Sequence, residues 1–280
     1  MKVDKFRTVI IYITIILLGL VCLLPLLNIV AISFSSSAAV EGNMVGLIPV
    51  GFSTAAYKKI LEDSQFWHSF LISVERVVLT LIINFVLIVL MAYPLSKTNA
   101  QFRGRNIYAN LMIFAMLFNG GMIPTFLLVK SYGLLNTVWA LVLPGAVPIF
   151  NVILVMNFFA AVPKELEEAA FIDGANPLQV LTKIFIPISK PVLATVSLFS
   201  IVGSWNDFYS GLIYMSKAAY YPLMTYIQSL QINVEDLIKQ GNLSAVVDSA
   251  SLGNTNLNAA KIVVAVIPLL LIYPLLQRYF

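Results

Sequence analysis

Long uncharged apolar runs, separated by short polar intervals, set the pattern of the chain. Residues 9–32 carry no charge, nor do 77–96, and a third run covers 106–129. A fourth is expected at 138–159, inside the uncharged stretch 131–163. The fifth, 191–216, is interrupted only by Asp207, and the last, 257–277, has Lys261 near one end. About 20 predominantly apolar residues cross roughly 30 Å of hydrocarbon as a helix. The pattern therefore predicts an all-α polytopic membrane protein with six transmembrane helices, forming a single domain over residues 1–280.

The first run follows Lys2, Lys5 and Arg7, as a signal peptide would, and the small residues 35–39 resemble a cleavage site. Its apolar stretch is much longer than the roughly 7–15 residues of a signal core, so an uncleaved helix is expected. Two intervals are long. Residues 33–67 contain the turn formers Gly46, Pro49 and Gly51 and a possible short helix near 55–61, while residues 217–256 are rich in Asn, Ser and Gly.

Composition agrees with the pattern. Hydrophobic residues make up 60% of the 280 and charged residues 11%, against about 25% charged in soluble domains. Mean hydropathy is +0.91. The net charge of +4 lies at the ends of apolar runs, which fits membrane orientation and argues against nucleic acid. With the N-terminus inside, ten basic residues fall on the cytoplasmic side and six outside, Arg76 lying within the second span. The interval 97–105 has Lys97, Arg103 and Arg105 and no acid, so both termini are expected in the cytoplasm. Cys22 and His68 are each the sole residue of their type, which speaks against a metal site.

The segment 162–191, VPKELEEAAFIDGANPLQVLTKIFIPISKP, lies between the fourth and fifth spans on the expected cytoplasmic side. Pro163 opens a helix and Asp173-Gly174 stops it; Pro177 suits the first turn of a second helix, and Pro187 and Pro191 break the chain before re-entry. Leu166, Ala169, Ala170, Phe171 and Ile172 are expected to form an apolar face, with Glu165, Glu167 and Glu168 polar. A small Ala-Ala surface flanked by carboxylates suits close approach by another protein. An amphipathic helix lying on lipid headgroups would favour Lys and Arg instead.

Glu168-Ala169-Ala170, Gly174, Ile184 and Pro187, with Asp173 and Ala175, resemble the signature loop of ABC importer permeases; Ile186 stands where that pattern has Leu. Six spans with this loop between the fourth and fifth resemble the smaller permease of maltose-type carbohydrate importers. The runs 118–124, 132–137 and 204–208 are similar to a branch handling oligosaccharides, including plant-polysaccharide fragments. Such permeases often continue with a short basic tail beyond 277–280. The resemblance implies the type I ABC importer permease fold and a bacterial inner-membrane location. It also implies that Glu168, Ala169, Ala170, Asp173, Gly174 and Ala175 form the surface that docks into an ATP-binding subunit. The implied partners are a second permease, two ATP-binding subunits, an extracytoplasmic solute-binding protein and a carbohydrate, in a lipid membrane. ATP and Mg would reside on the ATPase subunits; this chain would bind no cofactor. No Gly-x4-Gly-Lys-Ser/Thr run or nucleophile triad occurs, so the chain is not expected to be an enzyme.

Several polar residues fall at membrane depth. At about 1.5 Å per residue, Asn119 lies roughly 20 Å from Arg105, Asn151 roughly 20 Å from Val138, and Trp205, Asn206 and Asp207 about 22–26 Å from Lys190. A central Asp costs about 2.5–3.5 kcal/mol on insertion scales and should face protein or water. Trp205 suits stacking on a sugar ring, and Asn206 and Asp207 suit bonding to hydroxyls. The alternative is that these groups tie helices together and that Asn119-Gly120-Gly121 permits close packing. Arg76 is expected to snorkel to the outer surface, its neighbour Glu75 pointing elsewhere. Rival readings are a permease of the same class for amino acids, phosphate or metals, an ion-coupled carrier, and a non-transporting scaffold.

Overall fold

A computed structural model describes residues 2–118, 120–230 and 255–277. All regular structure among the described residues is helical. The helices are α1 (Lys2–Ser33), α2 (Ser37–Glu41), α3 (Ala55–Glu62), α4 (Ser64–Leu95), α5 (Arg105–Leu117), α6 (Met122–Ser131), α7 (Val138–Val142), α8 (Ile149–Ala160), α9 (Lys164–Ile172), α10 (Pro177–Val180), α11 (Ile186–Ile188), α12 (Lys190–Asn206), α13 (Tyr209–Tyr214) and α14 (Thr255–Gln277).

Three described helices are long and apolar enough to cross a membrane unaided: Arg7–Ser33, Ser64–Leu95 and Thr255–Leu275. Three bent pairs pass the same test of length and composition together: α5 with α6, Val138–Gly145 with α8, and Pro177–Ile188 with α12. The total is six when each pair counts once. Two of the breaks have a local cause. Gly121, with φ +89°, adopts at the start of α6 a conformation that L side chains avoid. Pro148 precedes α8, where a 47° bend divides the fourth span. The expected fifth run, 191–216, is also divided: α12 stops at Asn206, and α13 begins after Asp207 and Phe208.

The chain forms two compact units, Met1–Trp67 with Ile227–Pro268 and His68–Tyr226 with Leu269–Phe280. In the first, the segment after α1 is held by backbone bonds from Ser36 to Val50 (3.1 Å) and from Ser53 to Phe34 (2.8 Å). Phe34 stacks on Phe52 and Tyr57. Lys261 Nζ, only 4% exposed, meets Asp63 Oδ2 at 2.7 Å. Asp63 Oδ1 also accepts the Phe66 N–H at 3.0 Å, capping the first turn of α4. By contrast, α1 is exposed among the described residues from Val9 through Leu27, an apolar surface suited to lipid or another chain.

The second unit has its core where α4, α8, α12 and the α9–α11 segment converge, around Ile88, Val89, Val155, Phe159, Val180, Phe185 and Val196. This core holds the 162–191 segment against the ends of three spans.

Candidate functional site

The 162–191 segment folds as two short helices joined by a tight turn, because its caps are locally complete. Glu165 and Glu167 occupy the first turn of α9, where the helix dipole favours carboxylates. At the other end Gly174 takes φ +81°. The Ala175 N–H bonds to Ala170 O at 2.9 Å and the Gly174 N–H to Phe171 O at 3.1 Å, the paired bonds of a Schellman cap. Asn176 then opens α10 through a capping box: its Oδ1 accepts the Gln179 N–H and its own N–H donates to Gln179 Oε1, both at 2.9 Å.

Residues Leu181–Phe185 form one π turn. Pro187 follows at once; it lacks an N–H, and its ring crowds the carbonyl four residues back, so a widened turn relieves the clash. The Pro177–Ile188 stretch then meets α12 at 84°. The 177–188 stretch therefore runs steeply across the direction of α12.

Glu168, Ala169, Asp173 and Gly174 are exposed, whereas Ala170 and Ala175 are half-buried against the core. A hollow of about 410 Å³ is lined by Ala170, Asp173, Gly174, Gln179 and Lys183, among others. The expected division of faces on α9 is corrected at several positions. Leu166, Phe171 and Ile172 are exposed, Ile172 at 86%, while Glu167 is buried. The reason is a partner that helical periodicity does not register. Lys97, just past the end of α4, places its Nζ 2.7 Å from the Glu167 carboxylate. The Tyr93 hydroxyl donates to Glu167 Oε1 at 3.4 Å. The same Nζ lies 4.2 Å from the ring centroids of both Tyr93 and Phe185. Burial pushes the Lys97 ammonium below the ordinary lysine value, and the hydrogen bond and charge of Glu167 pull it partly back.

The polar groups at membrane depth separate. Asn119 lies outside the described residues. Trp205 is 4% exposed and packs edge-on against Phe70, with ring centroids 5.7 Å apart. Asn206 is exposed, and Asn151 is buried on α8. Asp207 accepts a hydrogen bond from Arg76 Nη2 on Oδ2 and another from the Ser210 N–H on Oδ1, the latter at 3.1 Å.

Arg76 is corrected. It does not snorkel outward but is 4% exposed and turned into the second unit. Its Nη1 donates to the Asp207 carbonyl at 3.0 Å and its Nη2 reaches Leu141 O at 3.4 Å. The clue in the sequence is a pair of opposite charges: an Asp deep in the fifth run demands a partner, and Arg76 directly precedes the second run. Arg76, Thr80 and Asn84 recur every fourth residue along one buried face of α4. Asn84 Nδ2 donates to Ser200 Oγ on α12 at 3.2 Å.

Residues 48–280 match the family described as "Binding-protein-dependent transport system inner membrane component". Protein LplC of Bacillus subtilis (strain 168) is 40% identical over 262 residues, covering 94% of this chain and 87% of LplC. The polygalacturonan/rhamnogalacturonan transport system permease protein YtcP of the same organism is 39% identical over 277 residues, covering 99% and 96%. The crystal structure of a bacterial ABC transporter involved in the import of the acidic polysaccharide alginate contains a similar chain. That chain superposes with a TM-score of 0.87 at 32% identity, covering 100% of this chain and 98% of its own.

Proposed function

Since the chain belongs to the family of binding-protein-dependent transport system inner membrane components, we propose that it is a carbohydrate permease, with oligosaccharides or polysaccharide fragments as its solutes. It is a multi-pass membrane subunit of an ABC transporter with the type I permease fold, and not an enzyme in itself. The polygalacturonan/rhamnogalacturonan and alginate relatives support the solute class.

The observation that carries the mechanism is the exposed Glu168-Ala169 surface on a helix closed by Gly174 at φ +81°, set between the fourth and fifth spans. In this reading Glu168, Ala169, Ala170, Asp173, Gly174 and Ala175 form the face against which an ATP-binding subunit docks. Two such subunits bind ATP and Mg, close on each other, and push this loop and its counterpart on a second permease. An external solute-binding protein delivers the sugar. Both termini lie in the cytoplasm, and the chain works as one permease domain. The exposed Asn206 faces the solute path; Trp205 and Asp207 shape its wall through their contacts with Phe70 and Arg76.

A carrier that binds its coupling ion on a deep carboxylate is disfavoured, because Asp207 is engaged by Arg76. Purification of the complex from its native membrane, with identification of bound subunits and glycan, tests the proposal. The expected result is an ATPase, a second permease and ATP-dependent sugar uptake after reconstitution. Uptake that follows an ion gradient without ATP would overturn it, as would an amino acid, phosphate or metal as the transported solute. Copurification with an ATPase but no solute-stimulated turnover would leave only a scaffold.

A further inference from the structure

Two ion pairs, each with one buried member, meet α4 or the residues just past its end. At the end of α4, Lys97 is clamped by Glu167 at 2.7 Å and lies over the Tyr93 and Phe185 rings. Twelve residues after Ser64, the first residue of α4, Arg76 grips both the side chain and the carbonyl of Asp207. Asn84 bonds Ser200 between them. From Arg76 to Leu95 the helix is continuous, a length of about 28 Å at 1.5 Å per residue. A helix is stiff along its axis because its turns are cross-braced by hydrogen bonds; in α4 only Pro94, in the last turn, removes one of them. Its three polar ties also fix its register against α9, α12 and the α12–α13 break, because sliding by one turn would strand a buried charge.

We propose that α4 is a strut linking the coupling helix to the break in the fifth span, with Lys97 and Arg76 as its positioning residues. The proposal rests on the reading of α9 as the ATPase-docking helix. Displacement of α9 carries Glu167, and Lys97 moves with it. The strut delivers that displacement to Asp207, where α12 stops and α13 begins, and so to the depth at which Asn206 is exposed. The backbone path from α9 to the same point runs through the Schellman turn, the capping box, the π turn and three prolines, Pro177, Pro187 and Pro191. Those features bend more readily than an unbroken helix.

Two measurements test the strut on the reconstituted complex. First, with Cys22 replaced by Ser, spin labels at the exposed Asn99 and Glu165 should hold one separation in the nucleotide-free and ATP-bound states. A change of several Å would overturn the proposal, because Lys97 and Glu167 would then part during the cycle. Second, Lys97→Ala with Glu167→Ala removes the clamp without leaving either charge unpaired. The double variant should copurify with its ATPase and keep basal hydrolysis while sugar uptake per ATP falls at least tenfold; Lys97→Arg should stay close to wild type. Uptake per ATP within twofold of wild type in the double variant would overturn the strut. A wild-type complex without ATP-dependent uptake would instead defeat the underlying transport reading, so the two failures are distinguishable.

Discussion

Arg76 and Asp207, separated by 131 positions in the chain, meet inside the second unit, where one guanidinium binds both the carboxylate and the backbone carbonyl of a single aspartate. The carbonyl contact matters as much as the ion pair. Asp207 ends α12, so its carbonyl has no helical partner at a depth where water is scarce. Arg76 supplies that partner while the other carboxylate oxygen caps Ser210.

Removing one member of this pair strands the other. Arg76→Leu should destabilise the purified complex by about 3–5 kcal/mol, the usual cost of an orphaned buried charge. Arg76→Leu combined with Asp207→Asn should be milder than Arg76→Leu alone, because the amide is neutral and still caps Ser210. Thermal unfolding in detergent or nanodiscs checks the order, and a double variant no more stable than the single would refute it.

Glu168→Lys reverses charge on the exposed face of α9, and Gly174→Pro demands φ near −65° where the chain has +81°. The proline also removes the Gly174 N–H bond to Phe171 O. Both variants should cut sugar-stimulated ATP hydrolysis at least tenfold while the permease pair still assembles. Wild-type coupling in both would remove this loop from the mechanism.

Lys97 gives a pH signature. Its folded-state value lies below the ordinary 10.5, so between the two the unfolded chain holds a proton that the folded chain has released. By linkage this group raises folding stability as pH rises through that window. The clamp loses its cation over the same interval. Uptake per ATP should therefore fall with rising pH sooner in wild type than in Lys97→Arg, whose guanidinium stays charged. Parallel profiles for the two proteins would contradict the clamp.

Gly211 sits against Thr225: an added Cβ would meet Thr225 Cβ and Cγ2 at 2.9 Å and its hydroxyl closer still. Thr225 Oγ1 donates to Phe208 O at 2.9 Å across the α12–α13 break. Gly211→Ala should lower stability by about 1–3 kcal/mol through overpacking, and Thr225→Gly should restore part of it. An unchanged melting temperature for Gly211→Ala would show that this contact is looser.

Membrane spans and caps are legible in the sequence because both are local. An uncharged run of 24 residues at 9–32 has one stable solution in a bilayer; Gly174, Asn176 and Pro177 write their turn into six consecutive positions. Run length alone does not show that a span is divided, so the fifth reads as continuous although α12 stops at Asn206. The faces of α9 read incorrectly for a related reason. Helical period ranks Glu167 as polar and Leu166 as apolar, yet burial is decided by Lys97, 70 positions away. Arg76 fails in the same manner: snorkelling is the default for an isolated cation, and only the packed arrangement brings Asp207 within reach. Asn119 is legible as a candidate but lies outside the described residues.

The bare stretch of α1 bears on how the protein is made. From Val9 to Leu27 it requires no core: its amides bond within its own coil, and its side chains are at home among acyl tails. Such a segment can enter the bilayer while the ribosome is still lengthening the chain, anchoring a nascent polypeptide whose later, broken spans must wait for one another.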